Sequence, residues 1–156
     1  ITSLYDDIVG GNTYGFSHTA PQPGDFGGIN FDTFAPSILS HVVLRYGGAV
    51  NSLGMQGGIK FSANVGSVTI NNARIVQNLF AGINRQSGNM TISQSSLYRN
   101  TSYGINSSVT GSPVIATGNW WGSASGPNHP TLNTGGAGNS VSNNVVFSPW
   151  LTSDPN

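Results

Sequence analysis

The sequence contains no cysteine and no glutamate, and lysine occurs once. Without thiols there is no disulfide framework, no cysteine-ligated zinc site and no thiol nucleophile. Charge is the larger deficit. Five Lys or Arg and five Asp leave 6% of the 156 residues charged, against about 25% in an ordinary soluble domain. Zero formal net charge and five scattered cations give no electrostatic footprint for nucleic acid. No basic amphipathic stretch suits a membrane surface, and no apolar run approaches the ~18 residues that cross a bilayer. Helix formers are scarce, which excludes a helical bundle or coiled coil. The chain opens without Met or a leader-type segment, as expected of a processed chain or an excised piece.

What is present is small and polar. Gly (22), Ser (21), Asn (18) and Thr (12) make up nearly half of the chain. Gly (22) and Pro (8) together make 30 of 156 residues, about 19%, below the ~25–30% typical of low-complexity disorder. Apolar residues recur with a period, so the chain is expected to fold.

That period is the main signal. A Gly-Ile-x-x unit occurs as Gly28-Ile29-Asn30-Phe31, Gly58-Ile59-Lys60-Phe61, Gly82-Ile83-Asn84-Arg85 and Gly104-Ile105-Asn106-Ser107, at intervals of 30, 24 and 22 residues. A second register advances with it. Its members begin at Ile38-Leu39, Thr69-Ile70, Thr91-Ile92 and Val114-Ile115, and each continues to Leu44, Ile75, Leu97 or Trp120. Each unit holds two or three short alternating runs punctuated by Gly, Asn or Ser, the pattern of strands with one buried face. The unit is shorter than a propeller blade and carries no helix of the leucine-rich or ankyrin kind.

Stacking successive units at about 4.8 Å buries every inward residue. The pattern therefore predicts a parallel β-helix with three inward columns. Ile29, Ile59, Ile83 and Ile105 form the first, Leu39, Ile70, Ile92 and Ile115 the second, and Leu44, Ile75, Leu97 and Trp120 the third. Residues 49–56 read as a loop that lengthens the first interval. Asn78 and Asn100 occupy one position suited to amide stacking, and Asn72 is a candidate for another.

Three stretches carry a resemblance. They are Thr2-Ser3-Leu4-Tyr5-Asp6-Asp7 leading through Gly10-Gly11-Asn12-Thr13 to Pro23-Gly24-Asp25-Phe26-Gly27-Gly28-Ile29, then Gly118-Asn119-Trp120-Trp121-Gly122-Ser123-Ala124-Ser125-Gly126-Pro127, and Asn144-Val145-Val146-Phe147-Ser148-Pro149-Trp150-Leu151. With these the chain resembles the right-handed parallel β-helix modules of large bacterial extracellular and cell-surface proteins. The resemblance implies an all-β fold, a right-handed parallel β-helix (a single-stranded β-solenoid) of about five coils of 22–24 residues with a C-terminal capping tail. It also implies one domain over 1–156, with coils in 1–122, a Gly/Ser/Asn-rich loop in 123–140, and a closing strand and tail in 141–156. An extracellular or cell-surface location follows from the same likeness. Related modules often add acids after Asp6-Asp7 in a loop suggestive of Ca²⁺. Here Asn12 stands in one such place, and two Asp alone do not supply the six to eight oxygens that Ca²⁺ takes. Asp6 and Asp7 remain a candidate metal position whose plainer role is capping turn amides, and no other cofactor is expected.

The catalytic inventory is thin. A glycosidase needs two carboxylates roughly 5–10 Å apart, and Asp6, Asp25 and Asp32 are the acids that neighbouring early coils bring closest. Polysaccharide lyases on this fold combine an acid cluster with a Lys or Arg base, and neither Lys60 nor Arg85 shares a column with one. His18, His41 and His129 have no metal spacing, and His41 reads as a turn residue equivalent to Asn72 and Gln94. The expectation is a protein that is not an enzyme. Tyr98 and Trp121 fall at equivalent outward positions and, with Tyr46, form a candidate strip for stacking on sugars. The competing reading has the 123–140 loop packed over them.

The ends are the remaining feature. A solenoid exposes strand edges unless they are capped. The 123–140 loop and Pro149-Trp150-Leu151 are expected to close one end, while Ile1 and Leu4 lie in a core-like strand at the other. The expected function is structural: a subunit stacking end to end into a filament, or part of a cell-surface stalk. Its expected partners are copies of itself or flanking domains of a larger surface protein. A polysaccharide-binding, adhesive module is the alternative, and a lyase or hydrolase comes after it.

Overall fold

The structure is a computed structural model that describes residues 1–8, 11, 20–50 and 54–156. Asn12, Thr13, His18 and the middle of the 49–56 loop lie outside the described residues. Within them the chain is all-β, with no helix and thirteen short strands. The strands begin with β1 (Ile29–Phe31), β2 (Ser37–Ser40) and β3 (Val43–Arg45), followed by β4 (Gly57–Phe61), β5 (Ser67–Asn71) and β6 (Arg74–Val76). Next come β7 (Ala81–Arg85), β8 (Asn89–Ser93) and β9 (Ser96–Tyr98), then β10 (Tyr103–Ser107) and β11 (Val114–Ile115). The last two are β12 (Ser140–Val141) and β13 (Val145–Val146).

Consecutive strands do not pair with each other. Hydrogen bonds sort them into three parallel sheets, ordered β1-β4-β7-β10-β12, β2-β5-β8-β11-β13 and β3-β6-β9. Alternation explains the burial: in Ser67-Val68-Thr69-Ile70, Val68 and Ile70 are buried while Ser67 and Thr69 face solvent. Across the first sheet Ile29, Ile59, Ile83 and Ile105 pair in register. Leu39, Ile70 and Ile92 do so in the second, and Leu44, Ile75 and Leu97 in the third.

The final repeat departs from the expected register by one residue. Ile115 pairs with Thr91, and Trp120 bridges Ser96, a separation of 24 residues in each case. A one-residue shift exchanges the two faces of a strand. Ala116 and Trp121 therefore enter the core, both at 0% exposure, while Ile115 is 41% exposed and Trp120 half-buried. The inward places assigned to Ile115 and Trp120 belong to their successors.

The repeated Gly before Ile has a steric cause. A Cβ on Gly58 would lie 2.6 Å from Asn78 Cγ, and one on Gly82 would lie 2.8 Å from Asn100 Nδ2. Those amides are fixed by a buried ladder. Asn78 Oδ1 accepts from the Gly47 amide at 2.9 Å, and Asn100 Oδ1 accepts from the Asn78 Nδ2 group at 2.9 Å. Asn139 Oδ1 accepts in turn from the Asn100 backbone amide at 2.9 Å. Each side chain satisfies a buried donor of a neighbouring repeat. Asn72 is not part of such a ladder. It is exposed and left-handed (φ 47°), in a row with His41 (φ 55°), Gln94 (φ 49°) and Gly118 (φ 68°), a conformation that Asn tolerates and Gly prefers.

Arg85 is fully buried, and among the described residues no acid pairs with it. Its Nε donates to Gly88 O at 2.8 Å, and its Nη1 donates to Ser112 O at 2.7 Å and to Ser107 Oγ at 3.2 Å. The guanidinium thereby ties two turns of adjacent repeats together, and burial pushes its pKa below the ordinary value.

Candidate functional site

Two regions collect the polar chemistry of the molecule, and the first is the N-terminal segment. Asp6 is buried and receives Arg45 Nε at 2.5 Å and Arg45 Nη2 at 2.8 Å, with Thr2 Oγ1 donating to the same carboxylate. Asp25 Oδ2 accepts from Ser3 Oγ at 2.6 Å and from the Gln22 amide at 2.9 Å. Asp6 thus ties Thr2 to β3 through Arg45, and Asp25 ties Ser3 to the turn at 22–25. Asp7 and Asp32 are exposed. Among the described residues no three His, Cys, Asp or Glu side chains gather as a metal site would require. The Asp6 oxygens that a cation would need are already engaged by Arg45.

The same segment closes one sheet edge. The Ile1 ammonium donates to Val43 O at 2.6 Å, and the Arg45 amide donates to Ile1 O at 3.1 Å, so Ile1 lies against the outer edge of β3. Among the described residues no strand pairs beyond β1 or β2. Ile1, Leu4, Phe34, Ile38 and Val43 are all exposed there, Phe34 and Ile38 by 75% each.

At the opposite end the 123–140 loop forms a closure. The Asn128 amide donates to Gly138 O at 3.3 Å, and the Val141 amide donates to Asn128 O at 3.0 Å, which covers the edge of β12. His129 is buried beneath it, its Nδ1 accepting from the Leu132 amide at 3.1 Å, with its ring 5.8 Å from that of Phe147. Trp150 packs where a side chain on Gly126 would sit, and its indole N–H donates to Ala124 O at 3.1 Å. The rest of the tail does not cover this end. The Leu151 amide donates to Asn119 O at 2.9 Å, and Asn156 Nδ2 reaches Ser96 Oγ at 3.2 Å. From Leu151 onward the tail runs back along the third sheet, and Pro149 is exposed.

The second region is a groove of about 640 Å³ between this tail, the turn after β9 and residues 137–140. One wall is Tyr98, whose hydroxyl accepts from Arg74 and whose ring has the Arg74 and Arg99 guanidinium carbons 5.4 and 5.9 Å from its centroid. The hydrogen bond to Tyr98 raises the Arg74 pKa, and Asp154, 3.2 Å away, adds to the effect.

The proposed sugar-stacking strip does not come together. Trp121 is fully buried, Tyr46 is buried with Arg45 5.5 Å from its ring centroid, and Tyr98 carries two arginines. The row containing Arg45, Val76 and Tyr98 continues to Gly122, since a Cβ there would lie 2.7 Å from Tyr98 Cβ. Trp120, expected inside, instead borders the groove together with Tyr98 and Trp121. The Trp-Trp pair shows that one ring faces in and one out. Only the register decides which.

Against known proteins, no family model, no curated protein and no solved structure matches this chain.

Proposed function

We propose that this chain is a non-catalytic structural module whose three sheets are the faces of a right-handed parallel β-helix. The support for the coil is the strand order: successive strands enter different sheets, and each sheet is parallel throughout. Parallel crossover connections are right-handed in ≈ 98% of cases. This is the resemblance drawn from the sequence, and with it come an extracellular or cell-surface setting and association with copies of itself.

The observation that carries the function is the second sheet. Its outer row runs Ile38, Thr69, Thr91, Ile115, Val146, uncharged along its length and exposed at every position. Its first strand, β2, carries exposed Ile38, and Phe34, four residues earlier in the chain, is exposed as well. Beside its last strand, β13, lies an apolar hollow of about 450 Å³ lined by Leu132, Val145, Val146, Phe147, Ser148 and Trp150. When the hollow of one copy receives the β2 end of the next, both apolar surfaces are buried and the row continues through Val146 to Ile38. Such head-to-tail contacts do not close and therefore build a filament. A chain of zero formal net charge offers little self-repulsion against this.

Light scattering and electron microscopy over a concentration series test the reading. Linear particles are expected, and both Ile38→Lys and Leu132→Lys should abolish them. A monodisperse wild-type monomer at the highest concentration, or assembly unchanged in both variants, would overturn it.

A further inference from the structure

The groove beside Tyr98 has a charge that the fold does not use. Of the four arginines, Arg45 is paired with Asp6, Arg74 with Asp154, and Arg85 is buried against carbonyls. Arg99 is exposed and left-handed at φ 56°, and its guanidinium lies against the Tyr98 ring, with no carboxylate in ion-pair range among the described residues. The charged residues of the lining are Arg99 and Asp154; Asp154 is engaged by Arg74 at 3.2 Å and accepts from Ser96 Oγ, which leaves Arg99 without a carboxylate of its own. The groove is also lined by groups that make no side-chain hydrogen bond among the described residues: the Ser102 and Ser140 hydroxyls and the Trp120 indole N–H. Trp120 is half-buried, held through its backbone by β9 on one side, with its amide donating to Ser95 O at 2.8 Å.

We propose that this groove binds an acidic polysaccharide, with a uronate carboxylate on Arg99 and a sugar ring against Trp120. A guanidinium recognises carboxylate through paired N–H donors. An indole offers a flat apolar surface to the C–H face of a pyranose while its N–H stays available to a hydroxyl. Ser102 and Ser140, which both line the groove, supply the short donors and acceptors that fix orientation in a site of this kind. The volume, about 640 Å³, lies in the range that holds a small ligand, ≈ 300–1,000 Å³. The proposal is independent of end-to-end assembly, since its walls come from β9, the turn after it and the 137–140 segment.

The test is isothermal titration and affinity electrophoresis with polygalacturonate, beside the same polymer fully methyl-esterified. Binding of the acid form, weakened by salt, is expected, with the neutral ester bound at least about tenfold more weakly, the scale of one charge-assisted hydrogen bond. Arg99→Asn, which suits the left-handed backbone, and Trp120→Ala should each lower affinity by a similar factor while leaving the circular dichroism spectrum unchanged. No binding of the acid polymer, equal binding of the ester, or affinity indifferent to Arg99→Asn would overturn the proposal.

Discussion

The Oδ1 atom of Asn100 accepts both the backbone amide of Asn78 at 3.1 Å and its side-chain Nδ2 at 2.9 Å. One oxygen thereby satisfies two buried donors of the neighbouring repeat, and neither donor can turn to water. Replacing Asn100 with Ala orphans them. An unsatisfied buried donor costs roughly 1–3 kcal/mol, so Asn100→Ala should lower the urea midpoint sharply at constant m-value. Asn72→Gly is the contrast: exposed and already left-handed, it should be neutral or slightly stabilising.

The all-β character and the parallel strand pairing are legible because the inward Ile rows and the Gly-Ile spacing are both sequence-periodic. Ile29, Ile59, Ile83 and Ile105 can be aligned by inspection, and they pair in register. The last repeat was not legible at the level of a single residue. Val114-Ile115-Ala116 and Trp120-Trp121 have apolar residues on both faces, so hydropathy cannot say which face turns inward. The same ambiguity displaced the candidate aromatic from Trp120 to Trp121. The role of Arg85 as a structural centre is not legible, because two of its partners are backbone carbonyls and the third is one of many serine hydroxyls.

Trp121 and Trp120 differ by register alone, and truncation should separate them. Trp121→Ala empties a fully buried site beside Gly104 and Gly138, and large-to-small core changes of this type cost about 3–5 kcal/mol. Trp120→Ala removes a half-buried ring and should cost well under half as much. Thermal melts of the two variants, read beside their fluorescence maxima, check the assignment. Equal destabilisation would place both rings in the core.

Arg85 is held by Gly88 O, Ser107 Oγ and Ser112 O, and among the described residues no carboxylate stands ready to retain a lysine in its place. Arg85→Lys preserves the charge but loses the planar fork, and Arg85→Met leaves the carbonyls unpaired. Hydrogen bonds to a charged group contribute about 1.5–3 kcal/mol each, so both variants should unfold at lower denaturant than wild type. Chemical denaturation followed by circular dichroism reads this. A stable Arg85→Met would show that the apolar stem, not the guanidinium, holds the two turns.

Asp6 and Arg45 join the N-terminal segment to β3 through two hydrogen bonds, with the Asp6 side chain fully shielded and that of Arg45 15% exposed. Arg45→Met strands a buried carboxylate, for which about 3–5 kcal/mol is typical of a broken buried pair. Asp6→Asn removes the charge and spares much of that cost. The double variant should therefore be less damaged than the sum of the two single changes, giving a coupling energy measurable by a thermodynamic cycle. Hydrogen exchange locates the effect: in Arg45→Met the amides of Asp6 and Arg45, bonded to Ser3 O and Ile1 O, should lose protection before those of β5 and β8. Uniform loss across all sheets would mean that the pair supports the whole fold and not the attachment of this segment alone.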